Sequence, residues 1–164
     1  MPLDDTHLAT DERDHLVRFL DYARATVVRK VQGVSDEDAR QPRTDTGTSI
    51  GGLVKHLTWV ERGWFRIRFL GEEVGGPSTD DDPDGDLRVE PGETMADLLA
   101  DYARACDESR AVLAAHDLAE QTANPGLRGP VSLEWICFHM IEETARHAGH
   151  VDILREQLDG FVGD

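Results

Sequence analysis

The 164-residue sequence predicts an all-α protein, one domain folded as a four-helix bundle. Three observations carry this expectation. Four segments of about 20 residues repeat apolar side chains at three- and four-residue spacings. No stretch alternates apolar and polar residues as a strand does. One long gap rich in Gly, Pro and Asp interrupts the helical pattern.

The first helix is expected over residues 11–33, with Leu16, Leu20, Ala23, Val27 and Val31 on one face and Gly33 as its stop. Residues 1–10 read as a flexible N-terminal tail containing His7. A short helical piece over residues 35–41 opens on Ser35 as N-cap and is halted by Pro42. The second long helix spans residues 49–70, with Ile50, Leu53, Leu57, Val60 and Trp64 as its apolar stripe. The third spans residues 94–116, where Thr94 and Asp97 have the spacing of a capping box. The fourth spans residues 132–160. Residues 71–92, GEEVGGPSTDDDPDGDLRVEPG, read as a surface crossover loop. Its acidic run from Thr79 to Asp86 lacks the spaced ligands and closing Glu of a calcium loop, and reads as solvated. A second loop covers residues 117–130.

Composition narrows the function. Seventeen Lys+Arg against 33 Asp+Glu give a formal net charge of −16. Such a field repels a phosphate backbone and an anionic bilayer surface, so neither nucleic acid nor a membrane is an expected partner. No apolar run is long enough to span a bilayer, and the acidic N-terminal stretch lacks the apolar segment of a secretory signal. Two distant cysteines, Cys106 and Cys137, form no disulfide framework, which fits a cytoplasmic protein. Cys106 falls on an apolar helix face and reads as a buried structural thiol; Cys137 falls outside the stripe of its helix.

The informative residues are polar side chains on apolar faces. On a wheel, Leu133, Ile136, Met140, Val151, Leu154 and Leu158 share a stripe about 60° wide, and Glu143 and His147 lie on or at its border. They are one turn apart and aim at one spot. A carboxylate buried alone costs several kcal/mol, so a partner must compensate it. Two readings are open: a buried Glu–His hydrogen bond, or a metal site anchored on a carboxylate and an imidazole at i and i+4. On the second helix, His56 sits at the edge of the stripe, with Gly52 and Gly63 allowing a close approach on the same side. Alone it reads as a half-buried seam histidine. With Glu143 and His147 it completes a two-His, one-carboxylate set that leaves a fourth metal position open. His139 and His150 flank the stripe as pocket lining or as groups that hydrogen-bond a ligand or bound water. Trp59 and Trp64 flank the His56 side, and Trp135 reads as a core or interface residue.

The segment Ser49-Ile-Gly-Gly-Leu-Val-Lys-His56-Leu-Thr-Trp-Val-Glu-Arg-Gly-Trp-Phe65 resembles the second helix of DinB/YfiT-like proteins. The segment His139-Met-Ile-Glu-Glu143-Thr-Ala-Arg-His147-Ala-Gly-His150 resembles their last, metal-binding helix. In many members that helix carries an HxxxH pair. Here the first histidine is Glu143, as in the metal-binding domain of mycothiol-dependent maleylpyruvate isomerase. The resemblance implies a DinB-like, up-up-down-down bundle, a homodimer, and a divalent metal held by His56, Glu143 and His147. Zinc suits two nitrogens and a carboxylate; Ni2+, Fe2+ or Mn2+ could fill the same set. It further implies a metal-dependent S-transferase that joins a low-molecular-weight thiol such as mycothiol to a small electrophile, with maleylpyruvate isomerisation itself not implied. The alternative is a non-catalytic bundle that binds metal or sequesters a ligand. Hydrolysis ranks below both, because Glu142 lies off the stripe and no general base stands beside the site.

Overall fold

The structure is a computed structural model that describes residues 6, 8–126 and 129–162. The expected tail, His7 included, falls largely outside the described residues. Four long helices form the bundle. Helix α1 is Glu12–Val31, and the short α2 is Asp36–Arg40. Helix α3 is Ile50–Glu61, continued without a break by a π-helical segment, Arg62–Phe69. Helix α4 is Met95–Ala115 and α5 is Leu133–Asp159. Side-chain caps set the starts. Asp11, Ser35, Ser49 and Ser132 each accept from a backbone N–H in the first turn, and Thr94 with Asp97 closes a full capping box. Gly160, at φ 73°, ends α5 in the left-handed conformation that glycine adopts without strain. Among the described residues the β pairing is a single isolated bridge, Gln121 to Ser132.

The helices run up-down-down-up, which corrects the expected up-up-down-down order. Arg155 near the end of α5 donates to the carbonyl oxygens of Lys30 and Gln32 at the end of α1, so these two helices are parallel. Arg62 pairs with Asp101 and Lys55 with Glu93, so α3 and α4 are parallel. Arg13 at the start of α1 donates to the carbonyl oxygen of His116 just past the end of α4, so those two oppose. The connections dictate this order. The links before α3 and before α5 are short, whereas residues 70–94 are long enough to travel back along the whole bundle. Helix α1 packs most extensively on α5 and α3 on α4, with further α3–α5 and α1–α4 contacts closing the ring.

The π segment changes which residues face the core. Leu70 N–H donates to the Phe65 carbonyl, five residues back, at 3.1 Å. A π turn takes one residue more than an α turn, so the buried register advances from Trp64 to Phe65. Phe65 and Phe69 are buried, while Val60 and Trp64, expected on the core stripe, are half-buried at the seam with α5. Two apolar clusters fill the bundle. One gathers Val27, Val31, Leu53, Leu57, Tyr102 and Val151. The other gathers Leu16, Leu20, Phe65, Val112, Ile136 and Met140. Cys137 lies fully buried in the second, inside the core and not outside it as the wheel placed it. No described helix is long and apolar enough to cross a membrane.

Between the clusters sits an ion pair. Arg24 forks onto Glu61, with Nε to Oε1 and Nη2 to Oε2 both at 2.7 Å, and Ser109 donates to Glu61 Oε2 at 2.6 Å. Burial works against charge on Arg24, but Glu61 outweighs it and keeps the guanidinium protonated. The pair fastens α1, α3 and α4 at the waist of the bundle.

Candidate metal centre

His56, Glu143 and His147 come together, one from α3 and two from α5, with a potential ligand atom of each within 4.8 Å of the others. Glu143 Oε1 lies 3.1 Å from His147 Nε2 and 3.6 Å from His56 Nε2. Ligand atoms about 2.0–2.1 Å from one tetrahedral zinc ion stand roughly 3.3 Å apart. The two separations at Glu143 bracket that spacing, so the donor set fits a divalent cation. His56 and His147 meet edge to face, their ring centroids 5.0 Å apart.

The electrostatics keep Glu143 and His147 in ligand form. Burial pushes the Glu143 carboxyl up, but His147, Arg146 and His56 outweigh it and hold it below the usual carboxylate range. Burial pushes His147 down, with His56 adding to that against the pull of Glu143, so its imidazole stays neutral at neutral pH. Arg146, exposed on α5, reaches back to pair with the outer oxygen of Glu143.

Both histidines have a partner on their other ring nitrogen. His56 Nδ1 lies 2.7 Å from Asp86 Oδ2 in the crossover loop. This corrects the reading of the acidic run as wholly solvated: Asp86 is the one member that turns inward, its side chain 14% exposed. Ser78 holds it, donating to Oδ1 at 3.0 Å. Two glycines let the loop settle. A Cβ on Gly52 would lie 2.0 Å from the Leu87 carbonyl oxygen, and one on Gly85 would lie 2.1 Å from that of Pro77. Gly52 therefore makes the close approach expected of it, toward loop backbone; Gly63 has nothing within 4 Å of its would-be Cβ and serves no such contact. His147 Nδ1 faces His150 Nδ1 at 3.3 Å, on the side of the ring away from Glu143. His150 is exposed and stands beside the triad.

The other candidates lie elsewhere. His139 contacts Trp64 and Trp135, one turn along α5 from Glu143. His116 packs edge-on to Phe69, and His15 Nδ1 lies 2.7 Å from the Asp11 carbonyl oxygen. Trp59 packs on Gly76 with the Arg62 guanidinium 4.9 Å above its ring. It joins Val60, Ile67, Val74 and Pro77 around a cavity of about 280 Å³ that has Asp86 in its wall. Burial pushes the Cys106 thiol up to about 12 and the Cys137 thiol up to about 11, so neither is a thiolate nucleophile at neutral pH. Glu142 is exposed and turned away from the triad toward Arg146.

Two acids escaped the sequence, the structural Glu61 and the site's Asp86. Glu61 was legible in principle, since it lies four residues past Leu57 and four before Phe65, on a buried face. Asp86 was not, because nothing local separates it from its acidic neighbours.

The comparisons with known proteins agree with this fold. Residues 15–160 match a family model described as mycothiol-S-transferase. A solved structure described as a conserved protein of locus from Enterococcus faecalis superposes with a TM-score of 0.69 at 13% identity, covering 93% of this chain and 100% of that one. At that identity the likeness is one of fold. No curated protein sequence matches the chain.

Proposed function

Because the chain belongs to the mycothiol S-transferase family, we propose that it is a metal-dependent thiol S-transferase, with His56, Glu143 and His147 as the ligands of a divalent cation, zinc by preference. In the reaction the sulfur of a low-molecular-weight thiol bonds to an electrophilic carbon. The thiol proton is lost to solvent, and the electrons of the broken carbon bond leave with the displaced group. A cation at such a centre supplies Lewis acidity that favours the thiolate over the thiol.

The chain's own residues set the conditions. Asp86 accepts from His56 Nδ1, which presents Nε2 as the donor and fixes the ring. His150 stands against Nδ1 of His147 in the equivalent position. The two neutral imidazoles and the one carboxylate leave a single positive charge on a bound divalent ion, which attracts an anionic sulfur. The cavity beside Asp86, walled by Trp59, Val60, Ile67, Val74 and Pro77, offers the electrophile an apolar surface. The observation that carries the reading is the convergence of the three ligand groups within a chain of this family. The non-catalytic alternative needs His150 to close the fourth position. It is disfavoured because His150 meets the far side of the His147 ring. Both buried thiols suit a reducing cytosol as the place of action.

The experiment is direct. Metal-loaded protein is mixed with mycothiol and a bimane or epoxide electrophile, and the conjugate is measured by mass spectrometry. The proposal expects turnover above the metal-free background and its loss in a His56→Ala, His147→Ala double variant. Equal rates with and without those histidines would refute it.

A further inference from the structure

The outer rim of the α3–α5 seam carries a second cluster outside the metal triad, of which Trp64 also packs on the apolar core. The rings of Trp64, Trp135 and His139 touch one another. Centroids lie 5.4 Å apart for the two tryptophans, 4.6 Å for Trp64 and His139, and 5.2 Å for Trp135 and His139, the last pair within 18° of parallel. The Arg68 guanidinium lies 4.5 Å over the Trp64 ring and donates to the Pro125 carbonyl oxygen. Trp135 is 44% exposed, leaving a large apolar area in water beyond its contacts with Trp64 and His139. The shift of register in the π segment places Trp64 here.

The shelf is continuous with the metal centre. His139 lies one turn and Trp135 two turns before Glu143 on α5, and Trp64 lies two turns after His56 on α3. The two helices are antiparallel, so both sets step away from the triad in one direction, to about 6 Å and about 12 Å along the axis.

We propose that this shelf binds the polyhydroxylated rings of the thiol, an amino sugar joined to inositol, while the cysteinyl sulfur reaches the triad. The inference rests on the thiol-transfer reading above. An acylated cysteine spans about one helical turn, which brings the first ring over His139 and the second over Trp135. The C–H faces of such rings are apolar and stack on indoles, while their hydroxyls need partners at the edge. Arg68 over Trp64 and Glu142, 3.9 Å from His139 Nδ1, edge the shelf with both signs of charge. A flat aryl electrophile would stack equally well but would desolvate those charges without replacing their hydrogen bonds. The ring end of mycothiol is uncharged, so the net charge of −16 does not oppose it as it would an anionic thiol.

The test uses the sulfur-free N-acetylglucosaminyl-inositol fragment, whose acylated amine is uncharged as in the thiol and which cannot engage a metal through a thiolate. Calorimetric titration into the metal-loaded chain is expected to show saturable binding. Trp135→Ala should weaken it about tenfold, and Trp135→Phe should restore most of it, with helicity and metal content as in the parent. In thiol-transfer assays the preference for mycothiol over N-acetylcysteine, read as the ratio of their KM values, should fall about tenfold in Trp135→Ala. Absence of fragment binding, or binding that Trp135→Ala leaves intact, overturns the proposal. So does an effect of Trp135→Ala on the electrophile's KM in place of the thiol's. Fragment binding lost in Trp135→Ala, in a protein that forms no conjugate, upholds the shelf and overturns the transfer chemistry instead.

Discussion

Two buried carboxylates, Glu61 and Glu143, sit on apolar helix faces and have opposite fates. Glu61 is 1% exposed and saturated: Arg24 forks onto both oxygens and Ser109 adds a third hydrogen bond. Nothing can enter without displacing Arg24. Glu143 is 9% exposed and surrounded by two imidazoles and the flexible arm of Arg146, all of which can move aside or turn to share a cation. Burial alone therefore does not mark a functional acid. What marks it is the kind of compensation: a fixed guanidinium makes a structural joint, whereas imidazoles that can turn leave the carboxylate free to share a cation.

The largest expected effect is at the joint. Arg24→Met strands the Glu61 charge in the core and should cost about 3–5 kcal/mol, read as a fall in the urea midpoint at unchanged slope. Replacing both partners, Arg24→Met with Glu61→Leu, should recover most of that loss.

At the centre the order reverses. Glu143→Gln should leave the metal-free protein folded with a similar midpoint and should abolish stoichiometric metal binding, measured by titration calorimetry. Asp86→Asn keeps the shape but removes the carboxylate behind His56, and should weaken metal affinity about 10–100-fold.

The pH response sharpens the contrast. Glu143 has its folded pKa held below the ordinary value, so it contributes stability above that value, lost as pH falls through the folded one. His147 is also held low, so the unfolded chain takes up its proton first and stability falls as pH drops through about 6.5. The two effects share a sign. The metal-free protein should have a lower urea midpoint at about pH 5 than at about pH 7, and His147→Gln should reduce that difference, while the Glu143 share appears only below about pH 4.5.

Much of the fold was legible because it is periodic. The four helices begin at Asp11, Ser49, Thr94 and Ser132 as their side chains dictate, and the triad could be read because Glu143 and His147 interrupt an apolar stripe one turn apart. Three features were not legible, each for a physical reason. The direction of the helices depends on how far residues 70–94 travel, which composition does not state. The π segment is a tertiary compromise that buries Phe65 and Phe69 at the expense of Trp64, and a wheel drawn at a constant angle cannot contain it. Asp86 reaches His56 only because Gly52 and Gly85 let two backbones approach, a contact between residues 30 positions apart.

The central claim is best tested by titrating metal-stripped protein with Zn2+ and counting bound ions, in the parent chain and in His56→Ala, Glu143→Gln and His147→Ala. The account predicts one ion per chain in the parent, with X-ray absorption reporting two imidazoles in its shell, and no stoichiometric site in any of the three variants. A parent chain that binds no zinc, or variants that bind it as the parent does, would contradict it.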